Sequence, residues 1–315
     1  MQEMLKPKVA LAAATPIPDP GLSGSGHHQP APAAAPQGAA RQPKPGPAQV
    51  LARAIGTWFQ NNAYSLVVGT IGLAIGLALW QVLSVNKVNF FINFANVPQP
   101  GAVFAAFWRH AFEKTFHIHI QVSVLRIAAG FLIAAVLGIL MGTLMGRSKF
   151  GAALIAPYIE IMRPIPAVAW IPLAILMWPT NEASIVFITF LGALFPIVLN
   201  TMQGVEQTPE VLIRAAKSLG ASPMQIFWNV ILPAALPSII TGLAVGMGVS
   251  WFSLLAGEII SGQYGIGYFT WNAYSLIDYP DIIVGMLVTG ALGTISTYLV
   301  RLLAYPFLKW QRKAR

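Results

Sequence analysis

The segment Arg214-Ala215-Ala216-Lys217-Ser218-Leu219-Gly220, followed by Val230-Ile231-Leu232-Pro233, decides how we interpret this chain. It is short and charged, and it lies between hydrophobic runs that are long enough to cross a bilayer. A helix of this length cannot span a membrane, so we expect it to lie at the membrane surface, where another protein can reach it. Gly220 predicts a helix C-cap, and Ser222-Pro223 predicts the start of a second short helix.

Polar and apolar residues of this segment separate on a helical projection. Arg214, Lys217 and Ser218 share one face. The other face is apolar and is formed by Val211, Leu212, Ala215, Ala216 and Leu219. The small alanines permit close approach of a partner, and Gly220 permits a sharp turn. We expect Leu232-Pro233 to begin the next membrane span, where the missing proline N–H costs nothing.

The composition excludes a soluble globular protein. Of the 315 residues, 56% are hydrophobic and only 9% are charged, whereas soluble domains carry about a quarter charged residues. Water cannot be the only solvent for so much apolar surface, so lipid must cover part of it. We therefore predict an all-α membrane protein that crosses the bilayer several times.

The basic residues predict the orientation. The net charge is +9, and the basic side chains gather at the ends of apolar runs. They include Arg147, Lys149, Arg214, Lys217, Lys309, Arg312, Lys313 and Arg315. This positive-inside pattern places both termini in the cytoplasm and argues against a nucleic-acid partner. The chain has no cysteine, so it has no disulfide or thiolate site, and we expect no metal site.

Six hydrophobic runs approach the roughly 20 residues that cross the hydrocarbon core of a bilayer. They cover residues 63–84, 122–145, a proline-interrupted run within 151–178, 183–202, 234–260 and 282–303. Residues 1–50 are rich in Pro, Ala, Gly and Gln and predict a disordered cytoplasmic tail. A signal peptide is the alternative there, but its apolar run at 9–14 is too short.

The remaining segments complete the domain division. Residues 51–117 hold the first span and an external amphipathic segment, 118–306 form the transmembrane domain, and 307–315 form a basic cytoplasmic tail. Aromatic residues recur at helical spacing in the external segment, at Phe104, Phe107, Trp108 and Phe112. They predict a helix that lies in the membrane interface, with the docking of a substrate-delivery protein as the alternative.

Small residues repeat every fourth position within several spans. They are Gly72 and Gly76, Gly138, Gly142 and Gly146, and Gly242 and Gly246. Such stripes let helix backbones approach closely. We expect them to pack helices within the chain, and a seam between two copies of the chain is the alternative.

Polar residues inside the spans are candidates for a substrate pathway, because such groups are costly in lipid. The candidates are Arg163, Asn200, Ser250, Trp251, Ser253 and Glu258. Glu258 is expected to pair with another group of the protein and to have a structural or gating role. His117 and His119 stand two residues apart in the external segment, which is weak evidence for a metal site.

The spacing of the charged segment resembles the coupling loop of binding-protein-dependent ATP-binding-cassette (ABC) importers, whose pattern is Glu-Ala-Ala, Gly, then Ile-x-Leu-Pro. Arg214 stands where that pattern has Glu. From about residue 118 to 306, the chain is similar to the type-1 transmembrane domain of these importers. The stretches 163–173, 195–201 and 265–268 are similar to nitrate, sulfonate and bicarbonate permeases. Three more, at 250–251, 256–258 and 271–274, resemble the nitrate and bicarbonate branch.

This resemblance implies a permease subunit in a bacterial inner membrane. It implies a homodimer of permeases, two ATPase subunits that grip the 211–223 loop, and a periplasmic or lipid-anchored solute-binding protein that delivers a small oxyanion. Nitrate is the first candidate, and bicarbonate, a sulfonate or taurine are the others. ATP and Mg²⁺ would bind the ATPase, since this chain lacks a Gly-x-x-x-x-Gly-Lys-Ser/Thr loop.

Two other function classes stay open at this point. In a secondary transporter driven by an ion gradient, the 211–220 helix would be an inert interfacial helix. Such a transporter would call for inverted repeats and ionisable residues at the midplane, and the sequence shows neither. A membrane scaffold without a transport role is the third interpretation.

Overall fold

The computed structural model describes residues 47–89 and 94–308, and helices account for most of them. The α-helices of these residues are α1 Pro47–Val85, α2 Pro100–His110, α3 Lys114–Arg147, α4 Lys149–Met162, α5 Ile171–Met177, α6 Asn181–Glu206, α7 Glu210–Ser218, α8 Pro223–Ile226, α9 Leu232–Ser261, α10 Ile266–Ser275 and α11 Tyr279–Ala304. The predicted all-α fold class is confirmed. The predicted N-terminal tail lies outside the described residues up to residue 46, and the basic C-terminal tail lies outside them from residue 309.

The chain divides into two compact units, residues 1–65 and 66–315. In the first unit, the described residues 47–65 belong to α1. The second unit contains every other helix, and all contacts discussed below lie within it.

The described residues contain five helices that are long and apolar enough to cross a membrane, and one bent helix pair that brings the number to six. The five are Ala63–Val85, Lys114–Arg147, Asn181–Glu206, Pro223–Ile260 and Tyr279–Leu308. The bent pair joins Lys149–Met162 to Ala167–Met177. With the bent pair counted as one span, the helices match the six predicted spans in length and composition, although the second begins at Lys114 rather than near residue 122.

The bend in the third span has a cause in the sequence. The axes on its two sides differ by 86°. Pro164 and Pro166 follow α4 directly; they supply no N–H to a helix and disfavour helical geometry in the residue before each of them. A short 3-10 turn, Ala167–Trp170, then leads into α5.

The helix of the fifth span starts earlier than its prolines predicted. It runs from Pro223 through a π-helical turn at Phe227–Ile231 into α9, with no loop at Leu232-Pro233. The N–H of Leu232 bonds the carbonyl of Phe227, five residues back. A π turn changes the local hydrogen-bond register, and Pro233, which has no N–H to donate, sits directly after it.

Helix α6 forms the centre of the bundle, packed between α3 and α9. The core that joins the three helices contains Ile127, Phe131, Ala134, Ile185, Ala193, Leu194, Ile197, Val198, Met247, Trp251 and Leu254. Glycines bring the backbones together. A Cβ atom at Gly138 of α3 would lie 3.0 Å from Cβ of Ile197, and one at Gly242 of α9 would lie 2.7 Å from Cβ of Asn200. The predicted role of these glycine stripes in packing within the chain is confirmed for α3 and α9.

The glycines of the first span behave differently. A Cβ atom at Gly72 or Gly76 would meet no atom within 4 Å. No residue in the most apolar window of 63–85 is buried in the described chain. This surface is therefore free to face lipid or another subunit.

Replacing Gly142 by Ala should destabilise the bundle. The new Cβ would lie 2.7 Å from Cβ of Thr201, and overpacking of this kind costs about 1–3 kcal/mol. Gly248→Ala on α9 is the matched control, because its Cβ would meet nothing within 4 Å. The stability of both variants is measured as the midpoint of thermal unfolding of the purified full-length chain in detergent. Equal midpoints for the two variants would contradict the close approach of α3 and α6.

Candidate functional sites at the two ends of the bundle

Helix α7 ends in a glycine turn that fixes the direction of the following chain. The N–H of Ala221 bonds the carbonyl of Ala216 at 3.1 Å, and the N–H of Gly220 bonds that of Lys217 at 2.9 Å. These two bonds form a Schellman motif. Gly220 has a φ of 80°, a left-handed conformation that favours glycine. The predicted C-cap at Gly220 is confirmed.

Helix α8 begins with a capping box immediately after this turn. The Ser222 hydroxyl accepts from the N–H of Gln225 at 3.3 Å, and the Gln225 side chain accepts from the N–H of Ser222 at 2.8 Å. The predicted helix start at Ser222-Pro223 is confirmed. Helices α7 and α8, with the turn between them, are called the α7–α8 elbow below and span Glu210–Ile226.

The α7–α8 elbow rests on the bundle through a small apolar contact. Ile213 and Ala216 pack against a core cluster that contains Val205 from α6 and Ile231 from the π turn. Leu232 also joins this cluster and is not on the surface of the elbow. The elbow therefore packs against a cluster to which residues of the α6 and α9 spans contribute.

The remaining apolar residues of α7 are exposed. Leu219 is 88% exposed and Val211 is 76% exposed, and Leu212 and Ala215 are exposed beside them. Ala216 departs from the predicted apolar face because it turns toward the bundle. Exposed apolar side chains on such a short helix form a surface suited to a protein partner.

Basic residues border this apolar surface. Lys217 and Arg214 are exposed, and Arg214 forms an ion pair with Glu210 one turn earlier. Both side chains of the pair are largely in solvent, so the pair contributes little to stability. The predicted coupling residues Arg214, Ala215 and Lys217 thus lie together on the accessible face of α7.

A second polar site, called the distal cluster, surrounds Glu258 on α9. It consists of Ser123 and Arg126 from α3, Glu182 from α6, Glu258, and the backbone N–H groups of residues 265–267. Glu258 is 1% exposed. Its carboxylate accepts from Arg126 Nη1 at 2.9 Å and from Ser123 Oγ at 2.8 Å. The expectation that Glu258 pairs with a protein group is confirmed.

The start of α10 is tied to this cluster by three consecutive N–H groups. Gly265 donates to His119 Nδ1 at 3.0 Å, Ile266 to Ser123 Oγ at 2.9 Å, and Gly267 to Glu258 Oε2 at 2.9 Å. These are orphan donors at a helix N-terminus, where a negative charge is favourable. Gly265 has a φ of 120°, and a Cβ there would collide with the Glu258 carboxylate.

The other edge of the Arg126 guanidinium faces Glu182. Nε donates to Glu182 Oε2 at 2.7 Å, and Nη2 donates to Oε1 of the same carboxylate. Nη1 also donates to the carbonyl of Tyr264 at 2.6 Å. The Arg126 side chain is 3% exposed, whereas that of Glu182 is 64% exposed. Arg126 therefore links a buried carboxylate to one that reaches solvent.

The distal cluster and the α7–α8 elbow lie at opposite ends of the bundle. Glu182 is in the first turn of α6, whose last residue, Glu206, comes 24 residues later, and the elbow follows it. At 1.5 Å per residue, this separation is about 36 Å, enough to cross the hydrocarbon core. If the elbow is on the inner side, the distal cluster is on the outer side.

The other predicted pathway residues do not join Glu258 in one cluster. Arg163 is exposed at the bend after α4. Asn200 donates to the carbonyl of Pro196 at 2.8 Å on its own helix. Ser250 Oγ donates to the carbonyl of Gly246 on its own helix at 2.9 Å and lies 3.5 Å from the carbonyl of Thr189 on α6. A role of these three residues in the substrate pathway stays a prediction.

The two remaining candidates of α9 have different surroundings. Trp251 Nε1 donates to Ser296 Oγ of α11 at 2.7 Å. Trp251 also lines a 600 Å³ groove between α9 and α11. Ser253 is buried against α6, where its hydroxyl has no hydrogen-bond partner in the described chain. Trp251 and Ser253 also remain predictions as pathway residues.

The histidine pair of the external segment separates into two unrelated contacts. His119 adjoins the distal cluster, because its Nδ1 accepts from the N–H of Gly265. The His117 ring lies 2.9 Å from the carbonyl of Ala111 through Nε2. The aromatic residues predicted for an interface helix are exposed as expected, with Phe104, Phe107 and Trp108 on α2.

Comparison with known proteins identifies the class to which this architecture belongs. Residues 134–312 match the family described as binding-protein-dependent transport system inner membrane component. The chain belongs to this family and is a multi-pass inner-membrane permease of the binding-protein-dependent ABC importer class.

Individual relatives support the same assignment. The nitrate import permease protein NrtB of Synechocystis sp. is 35% identical over 234 residues, which cover 71% of this chain and 83% of that protein. The bicarbonate transport system permease protein CmpB of Synechococcus elongatus is 39% identical over 174 residues, or 55% and 63% of the two chains. The putative aliphatic sulfonates transport permease protein SsuC of Bacillus subtilis is 31% identical over 251 residues, or 80% and 90%.

Replacing Ser123 by Ala should destabilise the chain by about 1–3 kcal/mol, because it removes a donor to Glu258 and leaves the buried N–H of Ile266 without its acceptor. Ser275→Ala is the matched control, since that exposed hydroxyl bonds only the carbonyl one turn earlier on α10. Chemical or thermal unfolding in detergent gives the comparison. Equal stability of the two variants would show that the distal cluster does not hold α10 in place.

Proposed function

We propose that this chain forms the translocation pathway of an ATP-driven importer for a small oxyanion. Nitrate is the first candidate substrate, with bicarbonate, a sulfonate or taurine as the others. The named relatives support this range, since they are permeases for nitrate, bicarbonate and aliphatic sulfonates. The chain is not itself catalytic. ATP and Mg²⁺ bind a separate ATPase subunit, in keeping with the absence of a phosphate-binding loop from the sequence.

The exposed surface of α7 carries the proposal for coupling. Leu219 and Val211 are free of contacts that would bury them, and basic side chains flank them. The ATPase grips this surface at residues 211–223. The Schellman turn and the capping box stiffen the α7–α8 elbow. Ile213 and Ala216 pack against the core cluster beneath the elbow, and this contact transmits force to α6 and α9.

The assembled transporter contains two copies of this chain, two ATPase subunits and a solute-binding protein. Both termini and the elbow lie in the cytoplasm of a bacterium, and the distal cluster faces the solute-binding protein in the periplasm. ATP drives the cycle only if the nucleotide-bound ATPase pair binds one permease conformation more tightly than the other. Inward movement of the two elbows then opens the pathway toward the outside.

The experiment that tests this function is uptake into membrane vesicles that contain the permease, the ATPase and the solute-binding protein. Labelled nitrate, bicarbonate and taurine are compared side by side. Uptake of one of them should require ATP, and the ATPase should copurify with the full-length permease. Uptake at the same rate without ATP would favour an ion-gradient transporter, and the absence of any uptake or copurifying ATPase would favour a scaffold.

Gly220→Val should abolish most ATP-dependent uptake while membrane insertion continues. A β-branched residue with a φ of 80° is strained by about 1–2 kcal/mol, so the turn relaxes and α7 changes direction. Gly220→Asn is the control, because Asn tolerates the left-handed conformation and no atom lies within 4 Å of the added Cβ. Similar uptake by the Val and Asn variants would argue against the coupling role.

A further inference from the structure

We propose that the Nε–Nη2 edge of Arg126 is an oxyanion receptor at the distal end of the pathway, and that the Glu182 carboxylate occupies it as an internal, displaceable competitor. This inference rests on the proposed import of a small oxyanion. It assigns a first contact for the substrate to residues that the sequence-based list of pathway candidates did not contain.

The geometry of the Arg126–Glu182 pair is that of an anion site already filled by an anion. Two N–H groups on one edge of the guanidinium donate to the two oxygens of one carboxylate. This paired arrangement suits any planar oxyanion that presents two oxygens side by side. Nitrate and bicarbonate share the trigonal shape of a carboxylate, and a sulfonate also presents two neighbouring oxygens.

The opposite edge of the guanidinium holds the receptor rigid. Nη1 is fixed by Glu258 at 2.9 Å and by the Tyr264 carbonyl at 2.6 Å. Glu258 is itself held by Ser123 and by the N–H of Gly267. An anion that binds the free edge therefore has no receptor side chain to order, which reduces the entropic cost of binding.

The difference in exposure identifies Glu182 as the part that moves. Its side chain is 64% exposed, while that of Arg126 is 3% exposed. An anion arriving from the distal side meets Glu182 first and reaches Arg126 only when that side chain rotates into water. A monovalent anion that replaces the Glu182 carboxylate on this edge leaves the guanidinium paired with two anionic groups, as before. Charged Glu258 stays paired throughout, so no buried charge loses its partner.

The test measures nitrate binding to the purified full-length permease in detergent. The thermal unfolding midpoint is followed against sodium nitrate concentration, with sodium chloride at matched ionic strength as the reference. A ligand that binds the folded state raises the midpoint in proportion to its occupancy. Removing an exposed competing carboxylate relieves an ion pair of modest strength, so Glu182→Gln should shift the nitrate dependence to about two- to fivefold lower concentration.

Glu206→Gln is the matched control, because Glu206 is an exposed carboxylate at the other end of the same helix. It should leave the nitrate dependence unchanged. Arg126→Lys keeps the positive charge beside Glu258 but cannot form two parallel bonds, so it should lose the nitrate-specific shift. If Arg126→Lys fails to fold, the comparison of Glu182→Gln with Glu206→Gln still tests the receptor.

The same nitrate dependence in wild type, Glu182→Gln and Glu206→Gln would overturn the receptor, as would a midpoint that responds to nitrate and chloride alike in all three. The vesicle assay separates this failure from failure of the importer function. Continued ATP-dependent uptake together with an unchanged nitrate dependence would reject the receptor alone. ATP-independent uptake together with the predicted shift would reject the importer and leave the receptor in place.

Discussion

The pairing of Arg126 with Glu258 inside an apolar bundle is the constraint on which the distal half of the structure depends. A charge removed from water is strongly unfavourable unless it is paired and its remaining hydrogen-bonding groups are satisfied. Here the hydrogen-bond partners of Arg126 and Glu258 come from four separate elements: α3, α6, α9 and the start of α10. The Arg126–Glu258 pair joins α3 to α9, and the N–H of Gly267, which donates to Glu258, adds the start of α10 to the same arrangement.

The central position of α6 connects this arrangement to the opposite end of the protein. One end of α6 carries Glu182 and the other carries Val205, against which the α7–α8 elbow packs. Close contacts at Gly138 and Gly242 fix α6 to both neighbours between these ends. Helix α6 is therefore a rigid connection between the elbow and the polar cluster, because backbones at such short separation cannot slide past one another without repacking.

Local signals made much of this structure predictable from the sequence. Hydropathy gave the six spans, and the positions of Gly220 and Ser222 gave the turn and the cap of the elbow, since each depends on neighbouring residues only. The partners of Glu258 were missed because Arg126 is 132 residues away in the chain. A charged residue within the apolar run of α3 was the available signal. The early start of the fifth span was missed because Pro233 was read as a helix beginning, whereas the π turn admits it in a continuous helix.

The π turn at Phe227–Ile231 also determines how far α8 is rotated about the helix axis relative to α9. Each residue of an α-helix advances the chain by about 100° around the axis. One additional residue in a turn therefore rotates everything on its far side by about that amount relative to an uninterrupted helix. The directions in which the side chains of α8 project therefore follow from the face that α9 presents to α6 together with the rotation added by the π turn. In an uninterrupted α-helix of the same residues, Ile226 would point about that far away from the apolar cluster that it shares here with Ile231.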